Sequence, residues 1–240
     1  MTLSARTLLA MGCFVLSLTF AASSFVTPFA GFDPNQFPVP QNNPPVQPAG
    51  YAFAIWGVIY LWLIIGSAWG LYFASADLGW HTMRVPLAIS LAVGTLWLSV
   101  ASVSPIWASV LIWVMLGSAL VALFRAPTAN QAWAALPVGL YAGWLSAASC
   151  VALGLLAAGY GWMTETTAAF SFVIVAILLG AFVQSALKRT PSYGIAVAWA
   201  LFAVALANVQ KEPTLASLAG GGALAMMLPT FKAWRGTPQV

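Results

Sequence analysis

Read for polarity alone, the chain is a succession of long apolar runs separated by short polar or proline-bearing breaks. A helix must be about 20 residues long to cross roughly 30 Å of hydrocarbon, and a bilayer interior leaves helices as the natural way to satisfy backbone polar groups. Eight runs of that kind can be drawn: 7 to 26, 51 to 74, 86 to 103, 106 to 124, 132 to 158, 166 to 187, 192 to 209 and 214 to 231. Only Ser104 and Pro105 part the third from the fourth. A single helix over both would be about 58 Å long, so the chain must turn back there.

Composition agrees with this pattern. Hydrophobic residues make up 62% of the 240, and charges number 12, eight Lys or Arg and four Asp or Glu. A soluble chain of this length carries about 60 charges at the usual quarter share. The expected fold class is therefore all-α, a polytopic integral membrane bundle of about eight transmembrane helices. Cytosolic enzymes, nucleic-acid binders and secreted disulfide scaffolds are excluded, and the scattered basic residues build no phosphate-tracking stripe.

Those basic residues report orientation instead, because cytoplasmic loops collect Lys and Arg. With the N-terminus inside, one side holds Arg6, Arg84, Arg125, Lys188, Arg189, Lys232 and Arg235, and the other holds only Lys211 beside Glu212. This places both termini in the cytoplasm, in a cell membrane of the bacterial inner-membrane kind. The first run, residues 1 to 26, also has a leader-like pattern, with Arg6 before apolar residues ending in Ala21, Ala22, Ser23 and Ser24. It is rather long for a cleaved signal, and the other seven helices keep their orientation either way.

Residues 27 to 50 form the one long loop, on the extracytoplasmic side. They hold seven of the fifteen prolines (Pro28, Pro34, Pro38, Pro40, Pro44, Pro45, Pro48) together with Phe29, Phe32 and Phe37. Proline stiffens the chain, and a long loop in an otherwise economical protein is functional or disordered. The aromatics favour an ordered cap.

Candidate chemistry is sparse. No ionisable residue falls in mid-span, so proton pumps and retinal-type Schiff bases have no candidate. His81 reads as a solvated residue in a short cytoplasmic loop beside Asp77 and Arg84. Cys13 and Cys150 lie apart inside apolar runs and behave as small hydrophobes. No catalytic group, metal site or tightly bound cofactor is expected. Ser90, Thr95, Ser99, Ser102, Ser146, Ser149, Gln184 and Asn208 read first as hydrogen-bonding glue between helices, and the pairs Gly66 with Gly70 and Gly139 with Gly143 as close-approach sites.

Tryptophan is in excess, with twelve in the chain. Trp80, Trp107, Trp133, Trp162 and Trp234 fall at span ends, where an interfacial belt accounts for them. Trp62, Trp69, Trp97, Trp113, Trp144 and Trp199 lie within spans, where each indole N–H requires an acceptor from a helix, a water or a ligand. Phe53, Trp56 and Tyr60 share one face at the start of the second helix, directly below the proline-rich loop. A lid above an aromatic mouth suits a large, planar, apolar ligand.

Two segments resemble the translocator-protein family (TspO/MBR, or tryptophan-rich sensory proteins). Pro44-Pro45 followed by Phe53, Trp56 and Tyr60 is similar to the family's first loop and second helix, although Phe53 is one residue closer to the Trp. Tyr141-Ala-Gly-Trp144-Leu-Ser146-Ala-Ala148-Ser149 resembles its fifth-helix Tyr-x-x-Trp-x-Ser-x-Ala-Thr, and Trp97 and Trp113 resemble its third- and fourth-helix tryptophans. Ala152 and Gly94 stand where the family usually has Asn.

The resemblance covers residues 8 to 158. It marks a larger, divergent relative with TspO-like helices two to five over 51–158 and three additional helices over 159–240. It implies a porphyrin or haem ligand, or a related lipid, in a sensory or regulatory role. Phe53, Trp56, Tyr60, Trp97, Tyr141 and Trp144 would supply shape and stacking, and Ser146 a hydrogen bond. The partners expected are the lipid bilayer and that ligand, and the resemblance allows a homodimer. A transporter for a neutral or amphipathic molecule is the competing reading. A membrane enzyme acting on its ligand finds no acid-base pair.

Overall fold

The computed structural model describes residues 4–27, 29 and 31–236. Pro28 and Ala30 of the proline-rich loop lie outside the described residues. Eight helices account for the bundle: α1 (Ala5–Val26), α2 (Ile55–Phe73), α3 (Leu78–Ala101), α4 (Pro105–Arg125), α5 (Ala135–Gly159), α6 (Glu165–Leu187), α7 (Ser192–Asn208) and α8 (Pro213–Gly236). No strand occurs among the described residues. Seven of the helices, α2 with its leading turn included, are long and apolar enough to cross a bilayer. The chain is thus an integral, multi-pass membrane protein. The exception, α7, has 17 residues, about 25 Å of helix.

Local sequence sets the ends. Ser4, Asp77, Ser104 and Thr164 each present a side-chain oxygen to a backbone N–H in the first turn of their helices, which satisfies donors that a helix leaves open. Pro105 follows its cap at the first helical position, where its missing N–H costs nothing. Asp77 explains the largest departure from expectation. Its carboxylate accepts from Trp80 N, so α3 begins at Leu78 rather than near residue 86, and Pro86 sits inside the helix.

His81 and Arg84 are consequently helical and not in a loop. Arg84 is only 3% exposed. Its guanidinium donates to Gly70 O (2.7 Å), Ala74 O (3.0 Å) and Ser75 O (3.2 Å), and so caps the C-terminus of α2. Trp80 is buried as well, stacked on Trp69 at 5.4 Å with Arg84 over its ring, and does not belong to the interfacial belt.

Helix α5 forms the axis of the bundle, with 21 of its 25 residues buried. A helix rich in Ala, Gly and Ser and apolar all round is built to be surrounded. A Cβ on Gly143 would run into the Tyr193 carbonyl and Ala196, and one on Gly139 into Ser192 and Thr190. The Gly139/Gly143 pair is therefore what lets α7 lie against α5. Gly66 plays the same part for α2, facing the Trp133 carbonyl and Pro137.

Most interior polar groups act as glue. Ser90 donates to Met115 O (2.8 Å) and pairs with Tyr141 Oη (2.9 Å). Gln184 accepts from Gly194 N and donates to Arg189 O, and Asn208 donates to Val204 O and Pro45 O.

Residues 31–50 form an ordered lid. A 3-10 turn at Pro34–Gln36 and another at Gly50–Ala54 punctuate it. Its backbone is tied down by Val39 N to Gly159 O (2.9 Å) and Ala49 N to Ala203 O (3.2 Å), and Gln36 Nε2 reaches Ala101 O (3.2 Å). Its Phe37 and Val46 side chains are buried.

Candidate ligand-binding cavity

Beneath the lid lies a cavity of about 420 Å³, within the range of small-molecule sites. Every helix except α8 contributes to its wall, and so does the lid. None of its lining residues is Asp, Glu, Lys, Arg or His. Among the described residues no three His, Cys, Asp or Glu side chains gather as a metal site.

Much of the aromatic wall comes from the way α2 begins. Phe53 sits in the 3-10 turn, and Trp56 and Tyr60 follow on the first turns of α2, one above the other on a single face. Trp56 and Tyr60 stack at 5.3 Å. Trp144 of α5 meets Phe53 edge-on at 5.9 Å and Trp56 at 6.2 Å. Trp97 of α3 holds the lid, with Phe29 at 5.0 Å and Phe32 at 6.3 Å. Its own N–H is bonded to Ala108 O at 2.8 Å, so the indole is fixed.

Five of the seven residues singled out from the sequence thus line the cavity: Phe53, Trp56, Tyr60, Trp97 and Trp144. Tyr141 and Ser146 do not. Tyr141 is fully buried one turn below Trp144, with its ring against Phe20 and Trp56 and its hydroxyl on Ser90, where it helps to floor the cavity. Ser146 lies two residues past Trp144, about 200° around the helix. It donates to Ala142 O and pairs with Tyr193 Oη at 2.9 Å, facing α7. Two protein oxygens thus already engage the hydroxyl that was expected to meet a ligand, and it lies outside the cavity lining.

Sequence reasoning missed Phe20 of α1, which touches Trp56, Tyr60 and Tyr141 edge-on at 5.0 to 5.9 Å. It also missed the α6 and α7 wall, Phe172, Val173, Ala200 and Val204 among it. Phe20 stands isolated within an apolar run, and residues of the later helices carry no motif, so no local signal pointed to them.

The tryptophans within spans separate by their N–H groups. Trp62 donates to Ala132 O and Trp199 to Ala52 O, on the backbone of neighbouring segments. The Trp144 N–H is buried without a protein partner. An unpaired buried donor costs roughly 1–3 kcal/mol. At the wall of a cavity it is a place for a ligand or water acceptor.

A family model described as TSPO-like protein matches residues 7–231, so the match runs through α6, α7 and α8 as well as through the helices that carry the sequence motifs. Neither a curated protein nor a solved structure matches the chain.

Proposed function

The chain belongs to the TSPO-like protein family, and we propose that it binds a flat, largely apolar molecule of the tetrapyrrole kind beneath its lid, with occupancy serving a sensory or regulatory role. The observation that carries this reading is the aromatic, uncharged cavity at the place where the sequence motifs converge. Indole and phenyl faces suit a macrocycle, and the Trp144 N–H suits one acceptor on its edge.

The same wall limits the ligand. With no cation among the lining residues, the carboxylates of a porphyrin must reach water outside the cavity. No histidine lines the cavity either, so the fit is to the faces of a macrocycle and not to its metal. The bias of seven basic residues to one end supports an orientation with both termini cytoplasmic, in a bacterial inner membrane.

Titrating the purified protein with protoporphyrin IX tests the proposal. Saturable quenching of tryptophan emission, lost in an Ala148→Trp variant that fills the cavity, is the expected result. Quenching indistinguishable from that in empty detergent micelles overturns it.

A further inference from the structure

Exposure around the cavity is confined to one place. Of its lining residues only Phe25, near the end of α1, and Gly57, in the first turn of α2, are exposed, Phe25 by 86%. Every other residue of the wall, those of the lid included, is buried or half-buried. The cavity therefore has its mouth in the side of the bundle, between the last turn of α1 and the first turn of α2.

The seam between these two helices explains that position. Toward the basic end it is closed: Ser17 Oγ pairs with Ser67 Oγ at 2.8 Å, and Phe20 packs edge-on against Tyr60 at 5.0 Å and Trp56 at 5.9 Å. Toward the lid end the α2 side of the seam is Gly57. A Cβ there would meet nothing within 4 Å, whereas at Gly66, on the same helix, it would run into the Trp133 carbonyl. Packing thus requires glycine at 66 and not at 57. What the glycine at 57 does is leave the mouth clear.

The mouth opens on lipid. Gly57 lies about 10 Å inside the apolar span that begins at Gly50, and Phe25 lies within the one that ends at Val26. The side chains around them, Leu18, Val26, Val58 and Leu61, are apolar and exposed. The cover that faces water is fastened instead. Gln36 Nε2 reaches Ala101 O on α3, Val39 N reaches Gly159 O on α5, and Ala49 N to Ala203 O and Asn208 Nδ2 to Pro45 O tie the lid to α7. An approach from water has to part these contacts, and one from the side meets only the free ring of Phe25.

An amphiphile dissolved in the bilayer is already concentrated at this depth, because removal of its apolar surface from water holds it there. We infer that the ligand enters from the lid-side leaflet, sideways between α1 and α2, its apolar body passing Gly57 and its polar edge staying among the headgroups beside Phe25. The doorway selects an amphiphile with a flat apolar body and its polar groups gathered on one edge, and refuses a molecule that is polar all round. The occupant rests on the cavity being the ligand site; the doorway does not.

Labelling tests the doorway without a ligand. In full-length protein in nanodiscs, with Cys13→Ala and Cys150→Ala, Ala148→Cys places one thiol in the cavity wall, and Asn42→Cys places one on the exposed lid surface as the reference. Relative to that reference, membrane-dissolved pyrenylmaleimide should label Ala148→Cys faster than a charged maleimide in the water does. Adding Gly57→Phe should slow the pyrenyl reagent about tenfold, the rate equivalent of swinging one packed aromatic ring aside, and Gly57→Ala should slow it less. Equal relative rates for the two reagents overturn the inference, as does a pyrenyl rate indifferent to Gly57→Phe.

A removable plug supplies the second measurement and needs no bulky substitution to fold. Gly57→Cys, with Cys13→Ala and Cys150→Ala, is capped with benzyl methanethiosulfonate and reopened with a reducing thiol. Attached after loading with protoporphyrin IX, the plug should trap the ligand and slow its release about tenfold; attached before, it should slow loading by the same factor, and reduction should restore both rates. A group that merely crowded the ligand would speed its release, so faster or unchanged release overturns the doorway. Absence of saturable quenching in the unplugged protein, with the labelling as expected, overturns the binding proposal alone.

Discussion

The lid is held by a small aromatic cluster, and removing one ring from it should open the cavity by a calculable amount. Phe32 meets Phe29 at 5.4 Å, Phe37 at 6.0 Å and Trp97 at 6.3 Å, each edge-on or nearly so. Such pairs are worth about 0.5–1.5 kcal/mol apiece. Three of them sum to about 1.5–4.5 kcal/mol, and the lower part of that range, about 1.5–3 kcal/mol, applies to a half-buried ring whose neighbours can still touch one another. Phe32→Ala should therefore raise the open population of the lid by about ten- to 150-fold. Hydrogen exchange in nanodiscs reads this directly, because the Val39 amide is protected only by its bond to Gly159 O. Its exchange should accelerate by that factor while the amides of α5 keep their protection. Unchanged exchange at Val39 would show that the cluster does not hold the lid, and equal acceleration in α5 would show that the substitution unfolds the bundle instead.

Packing at the α5/α7 crossing makes Gly143→Ala costly by about 1–3 kcal/mol, read as a lowered thermal midpoint. The control Gly117→Ala meets nothing within 4 Å and should be neutral or stabilising by up to about 1 kcal/mol; equal behaviour of the two refutes the close-approach argument. Ser146→Ala should cost about 0.5–1.5 kcal/mol through its lost bond to Tyr193 and leave the protoporphyrin titration unchanged, so a shifted titration would return Ser146 to the site. Ala152→Asn puts an amide on an apolar wall, at a penalty of about 1–3 kcal/mol. A lowered thermal midpoint is expected, and an unaltered one would mean that the wall is wet.

Helix number and most boundaries were legible because hydropathy is a one-dimensional signal, and each span had to be long enough to cross a bilayer. The failures came where a residue has two physical roles. Pro86 reads as a helix start because proline favours the first turn, yet Asp77 caps the helix two turns earlier. Arg84 reads as an orientation charge, but its long stem reaches back to the bare carbonyls of α2 and buries the head. Trp80 reads as interfacial from its place near a break, and only the tertiary fold shows that Gly70 leaves room for its ring. None of these is decided by local sequence.

The site divides along the same line. Residues on one face of one helix, such as Trp56 and Tyr60, were legible because helical spacing fixes which side chains share a face. Contributions from separate helices were not. Phe20 shows why this matters chemically: a Cβ at Gly94 would collide with its ring, so the position where the family's resemblance leads one to expect an asparagine has been given over to an aromatic on α1. At Ala152, which does line the cavity, the other expected amide is replaced by a methyl group. Both departures act in one direction, toward a wall with fewer hydrogen-bonding groups. Selectivity here must then come from shape, from the stacked Trp56 and Tyr60 and the buried, unpartnered N–H of Trp144, and a ligand with several buried polar groups would find few partners for them.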